Sequence, residues 1–368
     1  MNIIEETKHK VEEKDRPKEK LFSIQALKVI GFIIIFLGHA RYLPIDWPDL
    51  GARGVEIFIL ISGFTMMYNH YADKIQNNFK YSFDFMKKRL KKFINIHIIT
   101  FCLMIPYVVY NFIRSYSGIK SIIKLTLTAG LNFSLLQSWI PKPSVYFSFN
   151  TVSWYLSTIL FCYICTPKLI KFIRENINTN KRQIIVATLL IIVKIFFEYV
   201  IKNISYYDYI CHVNPIYRLG DYFLGLILGA YFLQNVAKYK KKTVNIMQIV
   251  TILIYIISVF VCRDIWVRAL YIPLTMIMIY FIAIQEGIIA KCITNKITEK
   301  LGKINLEFFM THMILISYIP DFIWYKFVPN TIGFNILLVI TLFILSICFS
   351  FLLKYINNVI DKFLKKER

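Results

Sequence analysis

Glycine and proline are scarce in this chain, 13 and 11 among 368 residues, which excludes a collagen-like repeat or a disordered low-complexity protein. Cysteine is sparse and odd in number. Cys102, Cys162, Cys165, Cys211, Cys262, Cys292 and Cys348 lie mostly within apolar segments, so a disulfide framework is excluded. Charge is also thin: 18% of residues are charged against 57% hydrophobic, with a mean hydropathy of +0.54. Length alone would suggest two or three soluble domains, but a soluble globule cannot hide that much apolar surface. The 31 Phe and 24 Tyr suit lipid-facing helices. This is the composition of an integral membrane protein.

Acids are half as common as bases, 22 against 44, giving a formal charge of +22 that invites a nucleic-acid reading. The bases, however, sit between apolar runs. The opening from Glu5 to Lys20 carries six acids and six bases, so it is a solvated tail with no polybasic arm, and no nucleic-acid partner is expected. The apolar run from Ile24 to Leu43 is too long for a signal-peptide core and lacks a small-x-small cleavage site, so it reads as an uncleaved first span.

A helical span needs about 20 apolar residues. Candidate spans fall near 24–43, 53–69, 93–113, 150–172, 183–201, 215–233, 244–262, 265–283, 303–324 and 333–355. The segment 119–139 is interrupted by Lys120, Lys124 and Gly130 and reads as an interfacial or re-entrant piece. Lys and Arg alternate between the two sets of loops. One set holds the N-terminal tail, Lys74 to Lys92, Arg174 to Arg182, Lys238 to Lys242, Lys291 to Lys300 and Lys362 to Arg368; the other holds Pro44 to Leu50 with no base, then loops with Lys202, Arg263 and Lys326. The connection 114–149, with Arg114, Lys120, Lys124 and Lys142, fits the alternation least well. The positive-inside rule then predicts an all-α membrane bundle of about ten transmembrane helices with both termini cytoplasmic. The expected divisions are a charged tail over 1–22, the bundle over 23–356 and a basic tail over 357–368.

An ionisable side chain inside a bilayer costs about 2.5–3.5 kcal/mol on insertion scales and is a functional candidate by default. Lys28 and His39 lie eleven residues apart in the first span, on one helix face and separated by about 16 Å. Lys28 joins the run Lys87 to Lys92 in an inner layer. Arg41, Arg53, Glu56, Ser153, Trp154, Arg218 and Asp221 form an outer layer, with His312 at mid-depth. A cationic inner mouth and a mixed outer site suit an anionic cytosolic donor and a neutral external acceptor. Blander readings stand beside this one. Lys87 to Lys92 anchors to anionic lipid, Lys194 and Glu198 form an i, i+4 pair, Arg218 and Asp221 do the same at i, i+3, and His39 is a packing histidine. Cys162 and Cys165 have redox or metal spacing but no second pair, so they read as membrane-helix cysteines and no metal is expected.

The stretch Ser23 to Ala40, containing Lys28 and ending Gly-His39-Ala, resembles the opening helix of the membrane acyltransferase-3 family, in which Leu-Arg is followed ten residues later by His. Four further blocks are similar and in the family's order: Gly54-Val-Glu-Ile-Phe58 running into Ser62-Gly-Phe64, Arg89-Leu-Lys-Lys92, Thr151-Val-Ser-Trp154-Tyr-Leu156, and Leu301 through His312. Lys28 and Lys92 stand where the family usually has Arg, Asn95 where Pro often follows, and Ile159 where many members carry Glu. The Trp-Tyr-Leu form resembles the short single-domain branch that O-acetylates or O-succinylates polysaccharides and antigens.

The resemblance implies transfer of an acyl group, usually acetyl, from cytosolic acyl-CoA to a hydroxyl of a cell-envelope glycan or its lipid-linked precursor. It further implies a multi-pass enzyme of the bacterial cytoplasmic membrane, with acyl-CoA as donor substrate and no bound cofactor. Lys28, Arg89 and Lys92 would hold CoA phosphates, although Lys lacks the bidentate fork of Arg. His39 would deprotonate the acceptor or be acylated itself, and Glu56 would orient it or bind the sugar. Trp154, Arg218 and His312 would contact the substrate, Arg218 by stabilising oxyanion charge. The competing class is a glycan exporter or flippase without acyl chemistry, although no inverted repeat is evident.

Overall fold

The architecture comes from a computed structural model that describes residues 19–43, 49–115, 118–261 and 267–366. Most of the N-terminal tail, Asp46, Cys262, Arg263 and Arg368 lie outside the described residues. Every regular element among those described is helical. The principal helices are α1 (Phe22–His39), α2 (Leu50–His70), α3 (Phe79–Leu90), α4 (Ile94–Ser115), α5 (Ile119–Phe133), α6 (Trp154–Asn176), α7 (Asn180–Ile201), α8 (Pro215–Asn235), α9 (Lys241–Val261), α10 (Ile272–Ala283), α11 (Asn305–Ile319) and α12 (Ile332–Lys366).

Nine helical segments among the described residues are long and apolar enough to cross a bilayer. The expected tenth span, near 265–283, is realised as the shorter apolar segment Arg268–Ala283, which packs within the protein core beside α2 and α9. The chain is a multi-pass membrane protein. Helix α5 has 15 residues, about 22 Å at 1.5 Å per residue and short of a full crossing. It is tied down by polar contacts: His97 Nε2 lies 3.1 Å from the Asn132 carbonyl, and Asn132 Nδ2 donates to Ser148 Oγ at 2.7 Å.

Local sequence explains where the helices begin. Asp49, Asn78 and Thr179 each accept a hydrogen bond from a backbone N–H in the first turn of α2, α3 and α7. Asn214 caps α8 on Ile216 N and Tyr217 N, with Pro215 at its first position, where a missing N–H costs nothing. Helix α11 passes at Pro320 into a π-helical turn, Pro320–Trp324.

Helix α2 is the most deeply buried span, while α7 faces outward with exposed Val193 and Phe196. Glycine lets α2 lie close to two partners. A Cβ on Gly63 would stand 2.1 Å from the Tyr222 carbonyl oxygen of α8, and one on Gly225 would stand 2.3 Å from that of Leu60. On the other side, a Cβ on Gly38 of α1 would meet the Gly51 nitrogen at 2.5 Å. Such small-residue seams replace hydrophobic driving force between membrane helices. They set His39 beside the first turn of α2 and Glu56 beside α8.

The expected Lys194–Glu198 pair does not form. Lys194 turns to Asp221 at 3.1 Å and lies 3.2 Å from the centroid of the Tyr217 ring. Glu198 instead accepts from Tyr217 Oη at 2.5 Å and from the Ala269 backbone N–H at 2.9 Å. Asp221 is fully buried and needs both oxygens compensated; Arg218 takes the second at 2.8 Å. Tertiary neutralisation of that carboxylate outweighs the local helix pairing.

Candidate active site

The last residue of α1 is His39, and its ring meets that of His312 from α11. His39 Nδ1 lies 3.1 Å from His312 Nε2, and His312 Nδ1 lies 3.1 Å from the Phe308 carbonyl oxygen. The roles follow from the last contact. A carbonyl only accepts, so His312 carries its proton on Nδ1, and its Nε2 accepts from His39 Nδ1–H. That leaves the lone pair of His39 on Nε2. His312 is fully buried between Phe308, stacked at 5.8 Å, and Phe309, while His39 is only part-buried. The pair is therefore a fixed imidazole holding a more accessible one with its basic nitrogen free.

Glu56 occupies a different place. One oxygen accepts from Arg53 Nη1 at 2.7 Å and the other from Thr275 Oγ1 at 2.6 Å, all three side chains being buried. Arg53 also lies over the Tyr271 ring at 4.1 Å. Both Glu56 oxygens are thus engaged on the α10 side, and the hydrogen-bond partner of His39 is His312.

Lys28, Arg89 and Lys92 are brought together. They line one end of a cavity of about 290 Å³ whose walls include Ser62, Tyr155, Ile159, Tyr163 and Phe309. Its α2 wall runs from Met66 to Val55, eleven residues or about 16 Å of helix. The cavity is a shaft with a basic mouth, and its far end lies one helical turn below the level at which Gly51 meets Gly38, beside His39. Lys28 has no hydrogen-bond or ion-pair partner among the described residues. Arg89 is held by His70 Nε2 at 2.6 Å and by the Phe85 ring, 3.3 Å away. Lys28, Asn305 and Leu306 also line a wider vestibule of about 730 Å³ on the basic face, along with Lys20, Lys303 and Lys354.

Arg218 is buried, and each of its three guanidinium nitrogens has a partner. Its Nε donates to the His212 carbonyl at 2.9 Å, Nη2 to His212 Nδ1 at 3.2 Å and Nη1 to Asp221. Trp154 is also buried, with its ring centroid 4.7 Å from that of His212. His212 carries little signal in the sequence, only a polar ring six residues before Arg218. Since Arg218 only donates, His212 accepts at Nδ1 and carries its proton on Nε2. Burial, followed by the Arg218, Arg268 and Arg53 guanidiniums and then His39, holds His212 well below the ordinary imidazole range, so it is a neutral N–H donor.

Comparison with known proteins bears on what this arrangement is for. The sequence profile of a family described as "Acyltransferase domain" matches residues 21–355, nearly the whole chain. The chain belongs to this acyltransferase family. A 134-residue stretch is 28% identical to acyltransferase MdmB of Streptomyces mycarofaciens, covering 34% of this chain and 30% of that protein. The match thus spans under a third of the relative's length. No solved structure matches the chain. The family's match begins just before α1 and ends within α12, so it takes in the histidine pair, the shaft and the Arg218 network alike.

Proposed function

We propose that this chain transfers an acyl group, acetyl in the simplest case, from cytosolic acyl-CoA to a hydroxyl of a cell-envelope glycan or its lipid-linked precursor. Its setting is the cytoplasmic membrane of a bacterium. The observation that carries the reading is the His39–His312 contact, which leaves His39 Nε2 without a hydrogen-bond partner among the described residues, together with a shaft that gathers Lys28, Arg89 and Lys92 at its mouth and is walled by Phe309, the ring beside His312. Three cations suit the phosphates of CoA, and a narrow shaft suits its extended arm. The Lys/Arg alternation puts that mouth in the cytoplasm.

The chemistry needs only the chain's own groups and two substrates. His39 Nε2 takes the proton of the acceptor hydroxyl while the hydroxyl oxygen bonds to the thioester carbonyl carbon. The carbon–sulfur bond breaks, the leaving thiolate takes the proton back from His39, and an ester and free CoA result. His212 Nε2–H, beside Trp154, is the donor we assign to the acceptor, because each nitrogen of the Arg218 guanidinium already holds a protein partner. Arg218 is a positioning residue for His212.

Purified protein in detergent tests this directly. Saturable binding of acyl-CoA, with slow hydrolysis in the absence of an acceptor, is expected. A chain that neither binds nor hydrolyses acyl-CoA belongs with glycan exporters.

A further inference from the structure

Helices α4, α5 and α11 enclose a second cavity, of about 690 Å³, on the face opposite the basic one. Lys120 and Lys124, one turn apart on α5, line it together with Asn111, Ser148, Thr151 and Ser317, and no Asp or Glu is among its lining residues. Four buried or half-buried cations near this face have acidic partners: Arg53 pairs with Glu56, Lys194 and Arg218 share Asp221, and Arg268 meets Asp208 at 2.8 Å and Asp49 at 3.5 Å. Lys120 and Lys124 have no acidic partner among the described residues. Nor does membrane topology call for them, because the positive-inside bias gathers Lys and Arg on the other face.

We propose that this cavity binds the phosphate-bearing head of a membrane lipid. Two ammonium groups with surrounding hydroxyl and amide donors match the acceptor oxygens of a phosphate ester. The apolar part is provided for as well. Met104, Val108 and Leu125 continue the lining, and Ile122, Ile123 and Leu127 on α5 are exposed alongside it. A headgroup lodged against the lysines can therefore keep its chain in hydrocarbon. Met313, next to His312 in α11, belongs to the cavity wall, which sets the cavity beside the helix that carries His312. The assignment does not rest on the acyl-transfer reading.

The test is native mass spectrometry of the full-length protein in detergent, titrated in separate arms with phosphatidylglycerol, a polyprenyl monophosphate, diacylglycerol and inorganic phosphate. Both phosphate lipids should bind, and diacylglycerol should not. Lys120→Glu with Lys124→Glu should weaken phosphate-lipid binding about tenfold or more, since charge-assisted contacts carry much of the affinity. The milder Lys120→Gln with Lys124→Gln guards against misfolding and should show a smaller loss. Lys240→Glu, on the opposite face, should show none. Two results overturn the proposal: wild-type lipid affinity in both double variants, or diacylglycerol binding as tightly as the phosphate lipids. Displacement of the lipids by inorganic phosphate at equal concentration overturns the amphiphile assignment, because it shows a site for free phosphate.

Discussion

His312 Nε2 lies 3.1 Å from His39 Nδ1, and the Phe308 carbonyl on the far side of His312 settles which ring donates. The consequence is a division of labour between two imidazoles 273 positions apart in sequence. One is fully buried and fixes a tautomer; the other, only part-buried, has no hydrogen-bond partner for its basic nitrogen among the described residues.

Removing the fixed ring should therefore impair activity without abolishing it. His312→Ala is expected to lower kcat about 10- to 100-fold, by analogy with the loss when a metal-bound histidine is deprived of the partner that orients it. KM for acyl-CoA should hardly change. His312→Gln, whose amide oxygen can still accept from His39, should recover part of the loss. Equal kcat in wild type and His312→Ala at matched protein amounts would show that His39 needs no partner.

The mouth of the shaft makes a second prediction. Charge-assisted contacts to phosphate contribute about 1.5–3 kcal/mol each when shielded from water. Lys28 is part-buried and unpartnered, whereas Lys92 is exposed. Lys28→Ala should thus weaken acyl-CoA binding tenfold or more by calorimetry, about the lower end of that range, and Lys92→Ala should weaken it less. Lys28→Arg should be tolerated. Unchanged affinity in Lys28→Ala would return these cations to the role of lipid anchors.

Ile159 is buried in the shaft wall. Ile159→Trp introduces a ring into a cavity of about 290 Å³. Transfer of the acyl group should be lost while CoA itself still binds at the mouth. Normal transfer by this variant would mean that the thioester travels another way.

Asp221 supports the outer layer. It is fully buried and ion-pairs with both Lys194 and Arg218, so Asp221→Ala removes the acidic partner of two buried cations. Breaking a buried pair by removing one partner costs about 3–5 kcal/mol. The expected outcome is a sharp fall in membrane yield and in the thermal unfolding midpoint in detergent. Wild-type yield and midpoint would contradict the network as drawn.

Much of this architecture is legible in the sequence, because a bilayer imposes long apolar helices and the Lys/Arg loops mark their ends. Lys28 and His39 could be placed on one helix face by 3.6-residue periodicity alone, and Arg89 and Lys92 by their position before a span. Relations between helices were not legible. The His39–His312 contact, the engagement of both Glu56 oxygens by Arg53 and Thr275, and the turn of Lys194 from Glu198 to Asp221 depend on how glycine seams bring α1, α2 and α8 together. His212 stayed hidden for the same reason. It lies between spans, and only the fold of α8 shows that Arg218 reaches back to hold it.

The proposed acyl transfer turns on one nitrogen, His39 Nε2. The direct measurement expresses His39→Ala in a strain lacking the wild-type protein, quantifies the variant in membranes, and measures ester-linked acyl groups released from the envelope glycan by mild base. A general base contributes about 10²–10⁴-fold, so acyl content should fall to background while the variant accumulates normally and still binds acyl-CoA. Wild-type acyl content with His39→Ala at normal abundance would contradict the assignment of His39 as the base.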